Sequence, residues 1–291
     1  MKRIFNLITL VVVSAFLINC KPTQTTNSIS ATKNSAIING IPVKADQVLS
    51  KSVVGLLMNY EFSAGNKFWI QGCTGSVLNQ KFILTAAHCV NGSPAADLAI
   101  HFSLNSFSFD KQFDPKTRIT DLEKFFTVRK VKSYLQHPLY DGSGKHDLAL
   151  ILLDSDIPAD AVPVQILPDQ FIDLVNNQTT FEKQNVDVVL MGFGLISESP
   201  RTETEVLRMT TVPATFENQF IVTDQTKGSG GCNGDSGGPA FFTFENVTYQ
   251  VGVTHGPHAA STTCHEQGEW VNPALNKDFL AEAQTKLLSE K

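Results

Sequence analysis

Three short runs hold the residue types that acyl transfer needs. Thr85-Ala86-Ala87-His88-Cys89 ends an apolar stretch, His146-Asp147-Leu148-Ala149-Leu150 opens another, and Gly234-Asp235-Ser236-Gly237-Gly238-Pro239 follows Cys232 in a glycine-rich loop. A serine hydroxyl is inert alone at neutral pH. An imidazole titrates near neutrality and can take its proton, and a carboxylate can fix the ring's tautomer and stabilise the imidazolium. Ser236 is therefore the candidate nucleophile, His88 its base and Asp147 the group that orients the base. The surrounding glycines let the N–H groups of Gly234 and Ser236 converge on an oxyanion, where losing one donor costs roughly 3–4 kcal/mol of transition-state stabilisation. Each run also has a plain structural reading: a solvated turn serine, a core histidine, a strand-end aspartate. Their joint occurrence beside cysteines favours the chemical one.

Gly234-x-Ser236-x-Gly238 also fits the nucleophile elbow of α/β-hydrolases. That fold needs an acid and then a histidine after the serine. The first histidine is His255, nineteen residues on, with only Glu245 between them, too short a span for the intervening strands and helices. Taken together and in this order, TAAHC, DLAL and GDSGGP resemble the trypsin/chymotrypsin family of serine endopeptidases, from Ile37 to about Leu288. The resemblance implies that family's mechanism and its all-β fold: two six-stranded Greek-key β-barrels with the site in the cleft between them, and a C-terminal α-helix. His88 and Asp147 would come from the first barrel and Ser236 from the second. A catalytically inactive binding protein on the same fold is the alternative; it would be expected to lack a triad member, and none is missing.

The resemblance extends to further positions. Ile37-Ile38-Asn39-Gly40 resembles the family's mature N-terminus, whose freed α-amino group pairs with the aspartate before the nucleophile, here Asp235. Ala36 precedes Ile37, so a zymogen cut after Ala36, by an enzyme favouring small residues or by itself, is expected. Gly230, six before Ser236, falls at the floor of the substrate pocket, with Gly256 and Gly268 on its walls. Thr254-His255-Gly256 resembles the strand that pairs with substrate backbone, with His255 where an aromatic is common. An uncharged floor and small walls imply a large apolar or aromatic side chain in the pocket rather than Arg or Lys. Phe193, in Met191-Gly192-Phe193-Gly194, resembles a tryptophan position of the family. His255, His258 and His265 look like metal ligands but lack matching Cys or acid partners; no metal and no cofactor is expected. The expected partners are protein or peptide substrates and a protein inhibitor, and the expected state is a monomer.

The elements that must position these residues read as many short strands: Ser52–Asn59, Phe82–Thr85, Leu98–Leu104, Phe125–Tyr134, Leu148–Leu153, Val186–Gly192, Val206–Val212, Phe220–Val222, Phe241–Phe244 and Tyr249–Thr254. Turn-forming runs such as Asn91-Gly92-Ser93-Pro94 and Gly228-Ser229-Gly230-Gly231 separate them, the pattern of sandwiches or barrels. One helix is predicted over Ala274–Leu288, with Leu275, Phe279, Leu280, Ala283 and Leu287 on its apolar face, Asn272 as its cap and Pro273 in its first turn. No internal repeat is visible. The expected boundaries are 37–160 for the first barrel, 161–272 for the second and 274–288 for the helix, all within a protease domain spanning 37–291.

The first twenty residues read as an export signal: Lys2-Arg3, then a mostly apolar run from Ile4 to Ile18, about 15 residues where a spanning helix needs ~20. Leu17-Ile18-Asn19-Cys20 resembles a bacterial lipoprotein box, with Asn19 where a small residue is usual, so Cys20 is a candidate lipidation site. Residues 21–36 are rich in Thr, Ser and Asn and read as a tether or pro-segment. The expectation is an exported protein, secreted or held at a membrane by lipid until activation releases it. Export places the chain where disulfides persist. Beyond Cys20, Cys73, Cys89, Cys232 and Cys264 allow three pairings. The local one, Cys73–Cys89 with Cys232–Cys264, closes two short loops worth about 3–4 kcal/mol each, and it is the one the family resemblance implies. Charged residues make up 18% of the 291, below the ~25% average, which argues against disorder. Residues 1–36 take four bases and no acid from the 23 basic and 28 acidic residues, so the remainder carries −9 and repels phosphate backbones; a charge-driven nucleic-acid binder is excluded.

Overall fold

A computed structural model describes residues 37–63, 65–107, 119–124, 126–168, 186–217, 219–259 and 261–290. The expected export signal, Cys20, the tether through Ala36 and Phe125 lie outside the described residues. β1 (Ile41–Pro42) is followed by β2 (Val53–Ser63), β3 (Asn66–Val77), β4 (Phe82–Thr85), β5 (Leu98–His101), β6 (Val128–Gln136) and β7 (Ala149–Leu153), with a single helical turn, α1 (Ile119–Leu122), between β5 and β6. β2 to β7 close into an antiparallel barrel in the order β2-β3-β4-β7-β6-β5. The second set is β8 (Val186–Gly192), the ribbon β9 (Ser197–Glu198) and β10 (Arg201–Thr202), then β11 (Arg208–Glu217), β12 (Phe220–Asp224), β13 (Pro239–Phe244), β14 (Val247–Pro257) and β15 (Gln267–Val271). Its barrel runs β8-β11-β12-β15-β14-β13 and closes through β8 against β11. In each barrel three consecutive strands are followed by one that returns beside the first, which is a Greek key. The all-β, two-barrel expectation is borne out.

Burial explains why these segments pair as they do. Every residue of β4 and of β7 is buried, as suits continuous apolar runs lined on both faces. They pair antiparallel, with Leu84 opposite Leu150 and Thr85 opposite Ala149. The end of β4 and the start of β7 therefore leave the barrel side by side. Phe279, Leu280, Ala283 and Leu287 of α2 (Lys277–Ser289) join the first barrel's core cluster, so the helix that follows the second barrel straps back onto the first.

Two details differ from expectation. The segment from Ile37 to Pro42, assigned by sequence to the first barrel, lies on the second: Ile41 pairs with Met209 of β11, Ile38 bridges Gly230, and Ile37 is buried among Val188, Leu190 and Trp270. The C-terminal helix begins as a 3-10 turn, Pro273–Asn276, with the Asn272 side chain accepting from Ala274 N–H at 2.9 Å. The tighter turn rotates Leu275 off the apolar face, and it is 36% exposed. Among the described residues no helix is long and apolar enough to cross a membrane.

Candidate active site

His88 lies three residues beyond β4 and Asp147 two residues before β7, so the strand pairing alone brings them together. Asp147 Oδ1 accepts the backbone N–H of His88 at 2.8 Å, and Oδ2 lies 2.6 Å from His88 Nδ1. The Asp147 side chain is fully buried while the His88 ring is partly open to solvent. Burial alone would raise the Asp147 pKa, but hydrogen bonds from His255 and His88, with the charge of His88, hold it down at about 2. The carboxylate is thus ionised and acts only as an acceptor.

Ser236 faces the same cleft. A cavity of about 510 Å³ is lined by His88, Cys89, Gly234 and Ser236 together with Met58, Phe193 and Leu195. No hydrogen bond joins the Ser236 and His88 side chains; such contacts often tighten only when substrate fills a site. Gly234 has φ +97°, and a Cβ there would come within 2.9 Å of Gly194 Cα, so the turn needs glycine. Among the described residues neither the Gly234 N–H nor the Ser236 N–H has a partner, which leaves both available to an oxyanion. The loop is held from the other barrel by Thr74 of β3, whose N–H donates to Ser236 O at 2.8 Å and whose hydroxyl donates to Gly234 O at 2.9 Å.

Asp235 turns away from the cleft and is wholly buried. Its carboxylate accepts N–H bonds from Gly194 and Cys232, both at 2.8 Å, and burial, only partly offset by those bonds, raises its pKa to about 7. A Cβ at Gly192 or Gly194 would lie 2.2 or 2.4 Å from its oxygens, so both glycines make room for it.

The pocket beside Ser236 holds about 120 Å³, and Thr254, His255, Gly256 and Gly268 line it together with Gln225, Gly231 and Trp270. Gly230, expected at the floor, is covered: a Cβ on it would stand 2.1 Å from Gln225 Cδ. The buried Gln225 amide donates to Gly231 O (3.2 Å) and Cys264 O (2.8 Å) and accepts from Gly231 N–H (2.7 Å), forming an uncharged floor. The disulfides are Cys73–Cys89 and Cys232–Cys264, with Cα atoms 6.1 and 5.2 Å apart; the first buttresses His88 and the second the pocket. The three downstream histidines disperse. His255 Nδ1 lies 2.6 Å from Asp147 Oδ2, His258 Nδ1 lies 2.7 Å from Glu269, and His265 approaches Glu198 at 3.9 Å. His88, Asp147 and His255 place possible metal-ligating atoms within 4.8 Å of one another. Separations of 2.6 Å suit a shared proton; a zinc ion ~2.1 Å from both atoms of such a pair would subtend an angle of about 80°, well short of tetrahedral.

The family model described as Trypsin matches residues 58–268. The chain belongs to the trypsin family. Its relatives include Limulus clotting factor C of Carcinoscorpius rotundicauda, 29% identical over 214 residues, 66% of this chain and 20% of that protein. Brachyurin of Leptuca pugilator is 28% identical over 190 residues, 62% of this chain and 74% of that one. Chymotrypsin of Phaedon cochleariae is 26% identical over 216 residues, 69% and 68% respectively. The chain thus spans only a fifth of clotting factor C. Within this trypsin-family site, sequence reasoning missed Thr74, Gln225 and the contact of His255 with Asp147, because each depends on a partner brought close only by the fold.

Proposed function

We propose that the protein is an exported serine endopeptidase working through an acyl-enzyme. The observation that carries this reading is the fully buried, ionised Asp147 holding His88 Nδ1 at 2.6 Å in the cleft where Ser236 lies. His88 Nε2 takes the Ser236 hydroxyl proton as Oγ attacks the scissile carbonyl. Negative charge develops on the carbonyl oxygen, facing the free N–H groups of Gly234 and Ser236. The imidazolium passes its proton to the departing amine, and water repeats the sequence to release the acid.

The uncharged Gln225 floor offers Arg or Lys no counter-charge. With about 120 Å³ of room opening on the cleft, the pocket suits a large apolar or aromatic side chain. Cleavage after Ala36, by an enzyme favouring small residues or by the protein itself, would free the Ile37 amine on the second barrel. Asp235, buried with two backbone donors among the described residues, is the acid that the amine would pair with. A signal ending at Cys20, lipidated or not, would export the precursor.

A fluorophosphonate probe tests the reading. Ser236 should be labelled in the processed protein. Ser236→Ala and His88→Ala should each lower kcat by about 10⁶-fold in a peptide library. An unlabelled Ser236 in folded, processed protein would leave the binding-protein alternative. An N-terminus other than Ile37 on active protein would overturn the activation site.

A further inference from the structure

Asp147 is offered more donors than one base requires. Oδ1 accepts the His88 backbone N–H, and Oδ2 lies 2.6 Å from His88 Nδ1 and 2.6 Å from His255 Nδ1. The second ring arrives from β14, on the opposite barrel. Because the carboxylate is ionised and only accepts, each ring must carry a proton on Nδ1. The rings meet edge to face, with centroids 5.9 Å apart and planes at 82°. Thr254, the neighbouring residue, spends its hydroxyl on Gly238 O at 2.9 Å and does not compete for Asp147.

We propose that His255 is a positioning residue of the catalytic machinery: it pins the Asp147 carboxylate from the second barrel, so that two imidazoles share one acid. The inference rests on the serine endopeptidase reading. The titratable groups facing His255 are Asp147 and His88 from the first barrel and Glu269 from β15, itself paired with His258 at 2.7 Å. Tyr140 stands close enough to Asp147 to feel its charge. The loop at Gly144 packs against the His255 ring, and its Asp141 and Lys145 act on each other. Burial opposes charge on His255, but the hydrogen bond to Asp147 and the fields of Asp147 and Glu269 outweigh it and raise its pKa.

Two states follow. Neutral His255 donates its Nδ1–H to Oδ2 and adds no charge, fixing Oδ2 between the rings. Protonated His255 cancels part of the charge that supports the His88 imidazolium, so the rate falls. The pH profile of kcat should therefore carry a proton step that belongs to His255.

The test measures kcat and KM from pH 4 to 9 for the processed enzyme and for His255→Gln and His255→Phe, with the N-terminus and melting temperature of each checked. His255→Phe should lose about ten- to a hundred-fold in kcat at the plateau, the worth of one hydrogen bond to a charged group. His255→Gln keeps an N–H donor and should restore the plateau to within about three-fold. In both, the proton step that His255 adds to the acid limb should disappear. If His255→Phe fails to fold, the acid limb of His255→Gln decides. Variants with wild-type kcat and acid limb, or with only a raised KM, overturn the inference and leave the endopeptidase reading standing. A wild-type enzyme that neither cleaves peptides nor labels at Ser236 overturns both.

Discussion

Thr74 donates its N–H to Ser236 O and its hydroxyl to Gly234 O, and its hydroxyl also receives the Phe193 N–H at 3.3 Å. Thr74→Val keeps the shape and removes the hydroxyl. It should cost about 1–2 kcal/mol of stability and, by loosening Gly234, lower kcat about ten-fold with little change in KM; Thr74→Ser should restore both. Gln225 makes a second residue-scale case. Gln225→Ala should open the pocket onto Gly230 and raise the kcat/KM of tyrosine or tryptophan substrates relative to leucine by about ten-fold in a matched peptide series. These two residues show why the site was only partly legible. His88, Asp147 and Ser236 each sit in a short run whose local chemistry is readable. Thr74 meets Gly234 across 160 residues and His255 meets Asp147 across 108, and no spacing rule connects such partners. Gln225 lies near the pocket in sequence, but nothing around it marks its amide as a floor.

Among the elements, continuous apolar runs such as β4 and β7 were readable because both of their faces are buried. β3 was not readable by alternation. Gly72 and Gly75 occupy places where a Cβ would meet Met58 Cε at 1.9 Å and Ile83 Cγ2 at 2.9 Å, so neighbouring side chains fill the room its own would take and its pattern is blanked. Contacts that join elements were equally silent. The rings of His137 and His146 stack at 4.3 Å, and His137 packs against Phe279 of α2 at 4.6 Å, tying the loop before Asp147 to the C-terminal helix. Burial, and next the charge of His146, lowers the His137 pKa to about 4. The unfolded chain takes up this proton near 6.5, so it binds more protons than the fold between those values. Stability should therefore fall as pH drops from about 6.5 to about 4. His137→Phe keeps a ring without the titration and should show a smaller fall in melting temperature between pH 7 and pH 4.5.

For the molecule as a whole, both barrels follow one strand order, although no repeat is visible in the sequence. Topology constrains which strands pair and which faces are buried, and many apolar residues satisfy it equally well. The charge on Asp235 also belongs to this scale, because its proposed partner is the new chain end. In the uncleaved chain its folded pKa of about 7 stands above the unfolded value near 3.9. Stability present below the lower value is then lost as pH rises towards 7. The uncleaved precursor should melt at lower temperature at pH 8 than at pH 4.5 by this contribution. In the cleaved form, where an ammonium would offset the buried charge, the contribution should vanish or reverse. Calorimetry of both forms across that range, with the new α-amino group counted as part of the Asp235 pair, reads it. The strap formed by α2 has one more consequence. During synthesis His88 and Asp147 leave the ribosome well ahead of Ser236, and the helix that straps the second barrel to the first follows all three. Under the proposed mechanism, a chain made only as far as the first barrel holds a base with nothing to deprotonate.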